Sequence, residues 1–150
     1  YLNGWTTMDA LKVGAMVAYG SYDEDGGAAG TGAGFDTGAD WGPGYWVMDW
    51  TNFGSAGSGY YASTMLAVYG DYAASDALSF YGALEYIMSN EEDTAFEDAT
   101  GLILNASMSY SLADNVTYAL GGAYGQIDGD TDDLDPDPFT RLFHKITISF

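Results

Sequence analysis

The feature that most constrains this chain is a period of two. Three runs, DALKVGAMVAYG from Asp9, DALSFYGALEY from Asp76 and DNVTYALGGAYG from Asp114, can be laid over one another. In each, the positions two, four, six and eight residues beyond the aspartate are apolar or glycine. These are Leu11, Val13, Ala15 and Val17, then Leu78, Phe80, Gly82 and Leu84, then Val116, Tyr118, Leu120 and Gly122. Alternation of this kind marks strands with two unlike faces; the period and the load of 21 glycines both disfavour helices.

Ten residues beyond each aspartate stands a tyrosine: Tyr19, Tyr86 and Tyr124. Ten residues at about 3.3 Å each, tilted by roughly 40°, rise about 25 Å, the height of the apolar band on a transmembrane β-barrel. The intervening runs alternate in the opposite sense, with Tyr60, Ala62, Thr64, Leu66, Val68 and Tyr72 on one face of one strand. Leu102, Leu104, Ala106, Met108, Tyr110 and Leu112 share a face of another. Six strands are predicted, over roughly 9–22, 59–73, 76–89, 99–112, 115–127 and 139–150, with 1–5 as the end of one more. Short turns, at 6–9, 74–76 and 113–115, alternate with long acidic loops.

The acids follow this plan. Of 22 Asp and Glu, 17 fall in three segments, Asp23 to Asp49, Glu91 to Asp98 and Asp128 to Asp137, while Asp9, Asp76 and Asp114 mark the short turns. Only Asp71 and Glu85 lie within periodic sequence. A net charge of −19 with 3 Lys and Arg excludes nucleic acid as a partner, because no basic surface exists to displace counterions. The hydrophobic content of 47% excludes acidic disorder. With no cysteine, the chain has no disulfide framework and no thiolate chemistry.

The second strand face separates two all-β readings. In a soluble sandwich that face meets water and carries many Lys, Glu and Arg. Here it carries Gly14, Met16 and Ala18; Ser63, Met65 and Ala67; Ser79, Tyr81 and Ala83; Ile103, Asn105, Ser107 and Ser109; and Thr117, Ala119, Gly121 and Ala123. A small, mildly polar face suits a lumen, and the continuous apolar face suits lipid.

The last strand, FHKITISF, places Ile146, Ile148 and the terminal Phe150 at alternate positions. In this and in its Asp-led strands and Gly-rich acidic loops, the chain resembles the C-terminal part of a bacterial outer-membrane porin. The resemblance implies an antiparallel transmembrane β-barrel with short periplasmic turns and long acidic extracellular loops. It also implies location in the outer membrane of a Gram-negative cell, passive diffusion of ions and small hydrophilic solutes, and contact with membrane lipid and lipopolysaccharide. The barrel-assembly machinery would read Ile146, Ile148 and Phe150, and a homo-oligomer, such as a trimer, is expected. Six strands and a stub are too few to close around a useful lumen. Residues 1–150 are therefore expected to be one barrel domain, the C-terminal portion of a larger barrel. An eight-stranded barrel that counts 45–53 and 1–5 as strands, or a barrel shared between chains, are the alternatives.

Three candidate sites stand out. Lys12, Arg141 and Lys145, all the cations of the chain, fall on the inward face with Glu85 and Asp71. They are candidates for a constriction with basic and acidic walls, against the plainer reading that charges simply avoid lipid. The loop DGDTDDLDPDP spaces Asp128, Asp130, Asp132 and Asp135 as Ca²⁺ ligands could be spaced. It has Asp133 and Phe139 where an EF-hand has Gly and Glu, and the alternative is a solvated acidic loop. Trp41 to Trp50 holds three of the four tryptophans, as a luminal plug or an extracellular hairpin with interfacial aromatics. No catalytic group is expected: the one histidine, His144, shares its outward face with no serine, and no Gly-rich phosphate loop carries a lysine. No cofactor is expected beyond a Ca²⁺ ion on the acidic loop. A strongly acidic mouth makes cation preference the expected selectivity, and a small closed barrel with a structural or adhesive role through its acidic loops is the alternative function.

Overall fold

A computed structural model of the chain describes residues 2–19, 63–90, 97–129 and 138–150. They form seven strands, β1 (Leu2–Met8), β2 (Leu11–Tyr19), β3 (Ser63–Ala73), β4 (Leu78–Ser89), β5 (Thr100–Ala113), β6 (Val116–Asp128) and β7 (Phe139–Ile148). The strands pair in chain order, each antiparallel to the next, in one sheet. The acidic positions 23–49, 91–93 and 130–137, the segment 41–50 and the eighth-strand candidate 45–53 lie outside the described residues.

Turn chemistry sets the hairpins. Met8 pairs with Leu11, so β1 and β2 are joined by Asp9 and Ala10 alone, and Asp9 takes the positive φ of 51° that such a turn needs and a short polar side chain tolerates. The expected stub at 1–5 is therefore a full strand, and Thr6 to Met8 belong to it rather than to the turn. The β-branched Thr6 and Thr7 continue the ladder, and a two-residue turn leaves nothing else for them to do. Between β3 and β4 the Ser75 hydroxyl accepts the backbone N–H groups of Ala77 and Leu78 at 3.3 and 3.1 Å. Between β5 and β6 the turn is Asp114–Asn115, beside a bulge across Ser111–Ala113. These three turns lie at one end of the sheet, the turn end, and the acidic connections leave from the other, the loop end.

The sheet is open. Among the described residues β1 and β7 each pair on one side only, and no closed barrel forms. Seven antiparallel strands leave the two edge strands running in the same direction, so β1 cannot complete an antiparallel ladder by pairing with β7.

The two faces differ sharply in exposure. The small-residue face is buried toward the loop end, where Met65 and Ile103 are 0% exposed and Met16, Ala67, Ala83, Ile87, Ala123 and Ile127 are also buried. Its turn-end half, with Lys12, Gly14, Tyr69, Asp71 and Tyr81, is half-exposed. The apolar face is bare: Leu66 is 45% and Leu104 52% exposed, and Val68, Leu84, Leu102 and Leu120 are exposed as well. The face expected to line open water is thus buried over its loop-end half, where Met65, Ile87, Ile103 and Ile127 are bulkier than the surrounding Gly, Ala and Ser.

Two glycines make room for aromatic rings on the small-residue face. A Cβ on Gly14 would overlap the Tyr69 ring, and one on Gly121 would stand 2.6 Å from the Phe143 ring. Each ring thereby covers a neighbouring strand that has no side chain of its own there. On the opposite face the constraint at Gly122 is backbone, because a Cβ would meet the Arg141 carbonyl oxygen at 2.6 Å. Gly122→Ala is expected to cost about 1–3 kcal/mol, since a carbonyl in a ladder cannot swing aside as a side chain can. Gly4→Ala, with nothing within 4 Å of the added carbon, should be neutral. Urea unfolding midpoints of the two variants check the contrast.

Candidate functional site

The strand register places Lys12, Asp71, Glu85, Arg141 and Lys145 on the small-residue face but does not gather them. Lys12 stands directly opposite Asp71 on the neighbouring strand. Glu85 faces Ala67 and Ile103 in the middle of the sheet. Arg141 and Lys145 are exposed on β7, opposite Ala123 and Ala119. Within this sheet Lys12 and Asp71 sit side by side, and Glu85 is 0% exposed.

Lys12 is held by aromatic rings. Its Nζ lies 5.2 Å from the centroid of Trp5 and 5.9 Å from that of Tyr69, within cation–π range of both. Trp5 and Tyr69 flank Gly14 in a single row across β1, β2 and β3, so the missing Cβ lets the Tyr69 ring lie across β2. The Tyr69 hydroxyl then donates to Asn3 Oδ1 on β1 at 2.9 Å, which anchors the ring at its far end. Among the described residues no ion pair joins Lys12 to Asp71.

Glu85 is the second polar feature. Asn105 Nδ2 donates to its Oε1 at 3.0 Å across the β4–β5 pair, and Oε2 has no hydrogen-bond partner. Its partners in the register, Ala67 and Ile103, offer no polar side chain. A buried carboxyl group half satisfied by one amide depends on that amide.

The apolar face carries two lines of aromatic side chains. Toward the loop end Tyr19, Tyr86 and Tyr124 lie on alternate strands. Tyr19 shares its row with Met88, two residues loopward of Tyr86, and Tyr86 shares its row with Gln126, two residues loopward of Tyr124. Toward the turn end Tyr72 and Phe80 share one row, and Tyr110 and Tyr118 the next pair of positions turnward. Both lines drift by one residue per strand. With strands about 4.8 Å apart and residues about 3.3 Å apart, that slope is about 35°, the tilt at which membrane-barrel strands cross the bilayer. If the strands tilt so, both lines run level. Six residues separate the lines on β4 and on β6, about 20 Å along the strand. Between them an open apolar groove of about 630 Å³ is lined by Leu2, Gly4, Ala15, Val17, Leu66 and Tyr86 among others.

Of the terminal positions, Ile146 and Ile148 continue the apolar face along β7, and Phe150 is fully exposed just beyond it. His144 shares that face, its ring 6.4 Å from Tyr118 and tilted 52° to it. Asp128 is the exposed last residue of β6; Asp130, Asp132 and Asp135 lie outside the described residues, and no metal-binding group of three or more ligands occurs among the described ones.

Sequence reasoning found the charges and missed the residues that hold them. In the sequence Trp5 falls in a strand stub, nothing distinguishes Tyr69, and Asn105 is one small polar residue among many. Gly14 carried the only signal, a glycine within a strand run that marks a close approach. Comparisons with protein-family models, with curated proteins and with solved structures find no match to this chain.

Asn105→Ala strips Glu85 of its hydrogen bond in a buried setting and is expected to cost about 1–3 kcal/mol of stability. Glu85→Gln retains the contact to Asn105 and removes the ionisable group, with an expected change under about 1 kcal/mol. Equilibrium unfolding of both variants measures the difference.

Proposed function

We propose that this chain forms part of a β-barrel of the bacterial outer membrane that works as a porin, a passive, water-filled channel for ions and small hydrophilic solutes. One observation carries the membrane reading: large apolar side chains cover the bare face, and aromatic lines that drift by one residue per strand border them. Leu66, Val68, Leu84, Leu102, Leu104 and Leu120 together exceed the isolated apolar residues that a soluble monomer leaves in water. Lipid acyl chains solvate such a face without cost, and Tyr rings suit its two interfaces. In this reading the turn end is periplasmic and the acidic loop end extracellular. Ile146, Ile148 and Phe150 form the signal for the assembly machinery, and lipopolysaccharide meets the acidic loops.

Cation preference follows from the charge. A mouth bearing most of 22 carboxylates against 3 cationic side chains raises the local concentration of cations and repels anions. A second reading, a closed barrel with a structural or adhesive role, draws support from the packing of Met65, Ile87 and Ile103 on the small-residue face.

Planar-bilayer recording separates the two. Discrete conductance steps, with a reversal potential of cation-selective sign across a salt gradient, are expected of the channel. A folded protein that gives no steps would leave the closed reading, and anion selectivity would contradict the assigned role of the acidic mouth. The membrane face has its own test in Leu84→Arg, between the aromatic lines on β4. In lipid vesicles the substitution should cost about 2–4 kcal/mol, whereas on a water-facing sheet it would be neutral.

A further inference from the structure

We propose that Trp5 and Tyr69, with the Asp71 carboxylate beside them, form a binding site for small organic ammonium ions, which Lys12 fills with its own ammonium group until a solute displaces it. The present occupant shows what the site prefers. Lys12 stands opposite Asp71 in the register, so an ion pair is the nearest arrangement open to it. Its Nζ instead lies over two ring faces, 5.2 Å from Trp5 and 5.9 Å from Tyr69. Among the described residues the Asp71 carboxylate forms no ion pair, and it is a second point of attraction for a cation. The Tyr69 wall is held in place, because Gly14 makes room for the ring and Asn3 accepts its hydroxyl. Trp5, 62% exposed, leaves the site open to solvent.

A tethered lysine can swing away without unfolding anything, since its four-carbon stem is flexible and its head remains solvated. Partly exposed cation–π contacts are individually weak, so binding would be weak and rapidly reversed, as passage through a channel requires. The site rests on the channel reading for its biological use. Its binding chemistry does not, and the test below reads binding without conductance.

Choline is the probe, and 3,3-dimethylbutan-1-ol, of nearly the same shape but uncharged, is its control. Saturation-transfer NMR on the folded full chain, in a sugar-headgroup detergent that brings no choline of its own, follows the methyl protons of each. Choline is expected to bind and the alcohol not to. Trp5→Ala should weaken choline binding about threefold, the equivalent of one cation–π contact, and Trp5→Phe should retain most of it. Lys12→Met should strengthen binding at least about threefold by removing the tethered competitor. Adding Trp5→Ala to Lys12→Met should erase that gain. Equal binding of the alcohol, no effect of Trp5→Ala, or no gain with Lys12→Met would each overturn the proposal. A Lys12→Met gain that survives Trp5→Ala would assign the effect to net charge and overturn it as well. Failure of the protein to conduct in bilayers would leave these binding outcomes untouched.

Discussion

Each strand turns successive side chains to opposite faces, and the antiparallel register carries that choice from one strand to the next. Every other feature of the molecule depends on this coupling. Once Leu11 pairs with Tyr72, and Tyr72 with Phe80, the rest of both faces is determined, because a slip of one residue would exchange the faces along a whole strand. The consequence is an inversion of the usual soluble pattern. Leu66, Leu84 and Leu104 are left bare, while Ala67, Glu85 and Asn105 are buried behind them. The apolar side is thus the exposed one, and the aromatic lines that border it drift by one residue per strand.

Within the small-residue face, glycine decides where polar chemistry can stand. Gly14 lets Tyr69 reach across a strand to Asn3, and the same ring then receives the Lys12 ammonium. Gly121 does the equivalent for Phe143 at the far side of the sheet. Two of the charges on this face behave differently. Lys12 is drawn to aromatic faces at the edge, and Glu85 is enclosed at the centre with one amide partner. The inner surface is a graded one, packed toward the loop end and open toward the turns.

Much of this was legible in the sequence. Six of seven strands lie within a few residues of the predicted runs, because alternation and Asp-marked turns are local signals that a short window contains. The first strand was underestimated, since seven residues before a two-residue turn show little periodicity of their own; Leu2, Gly4, Thr6 and Met8 make an indistinct apolar face. Face assignments for Lys12, Asp71, Glu85, Arg141 and Lys145 also follow from counting in twos. Their mutual distances do not, because these depend on which strands are neighbours and in what register.

The sequence by itself determined the strands, the two unlike faces, the separation of short turns from acidic connections and the sign of the electrostatic field. All of these are properties of composition and of a period of two, which survive any arrangement of the strands. Only the tertiary structure decided that Tyr69 covers Gly14 and meets Lys12 and Asn3, that Asn105 serves Glu85, and that the aromatic lines share one slope. Those are relations between residues up to 66 positions apart, as from Asn3 to Tyr69, and they exist only once hydrogen-bonded pairing has set one strand against another.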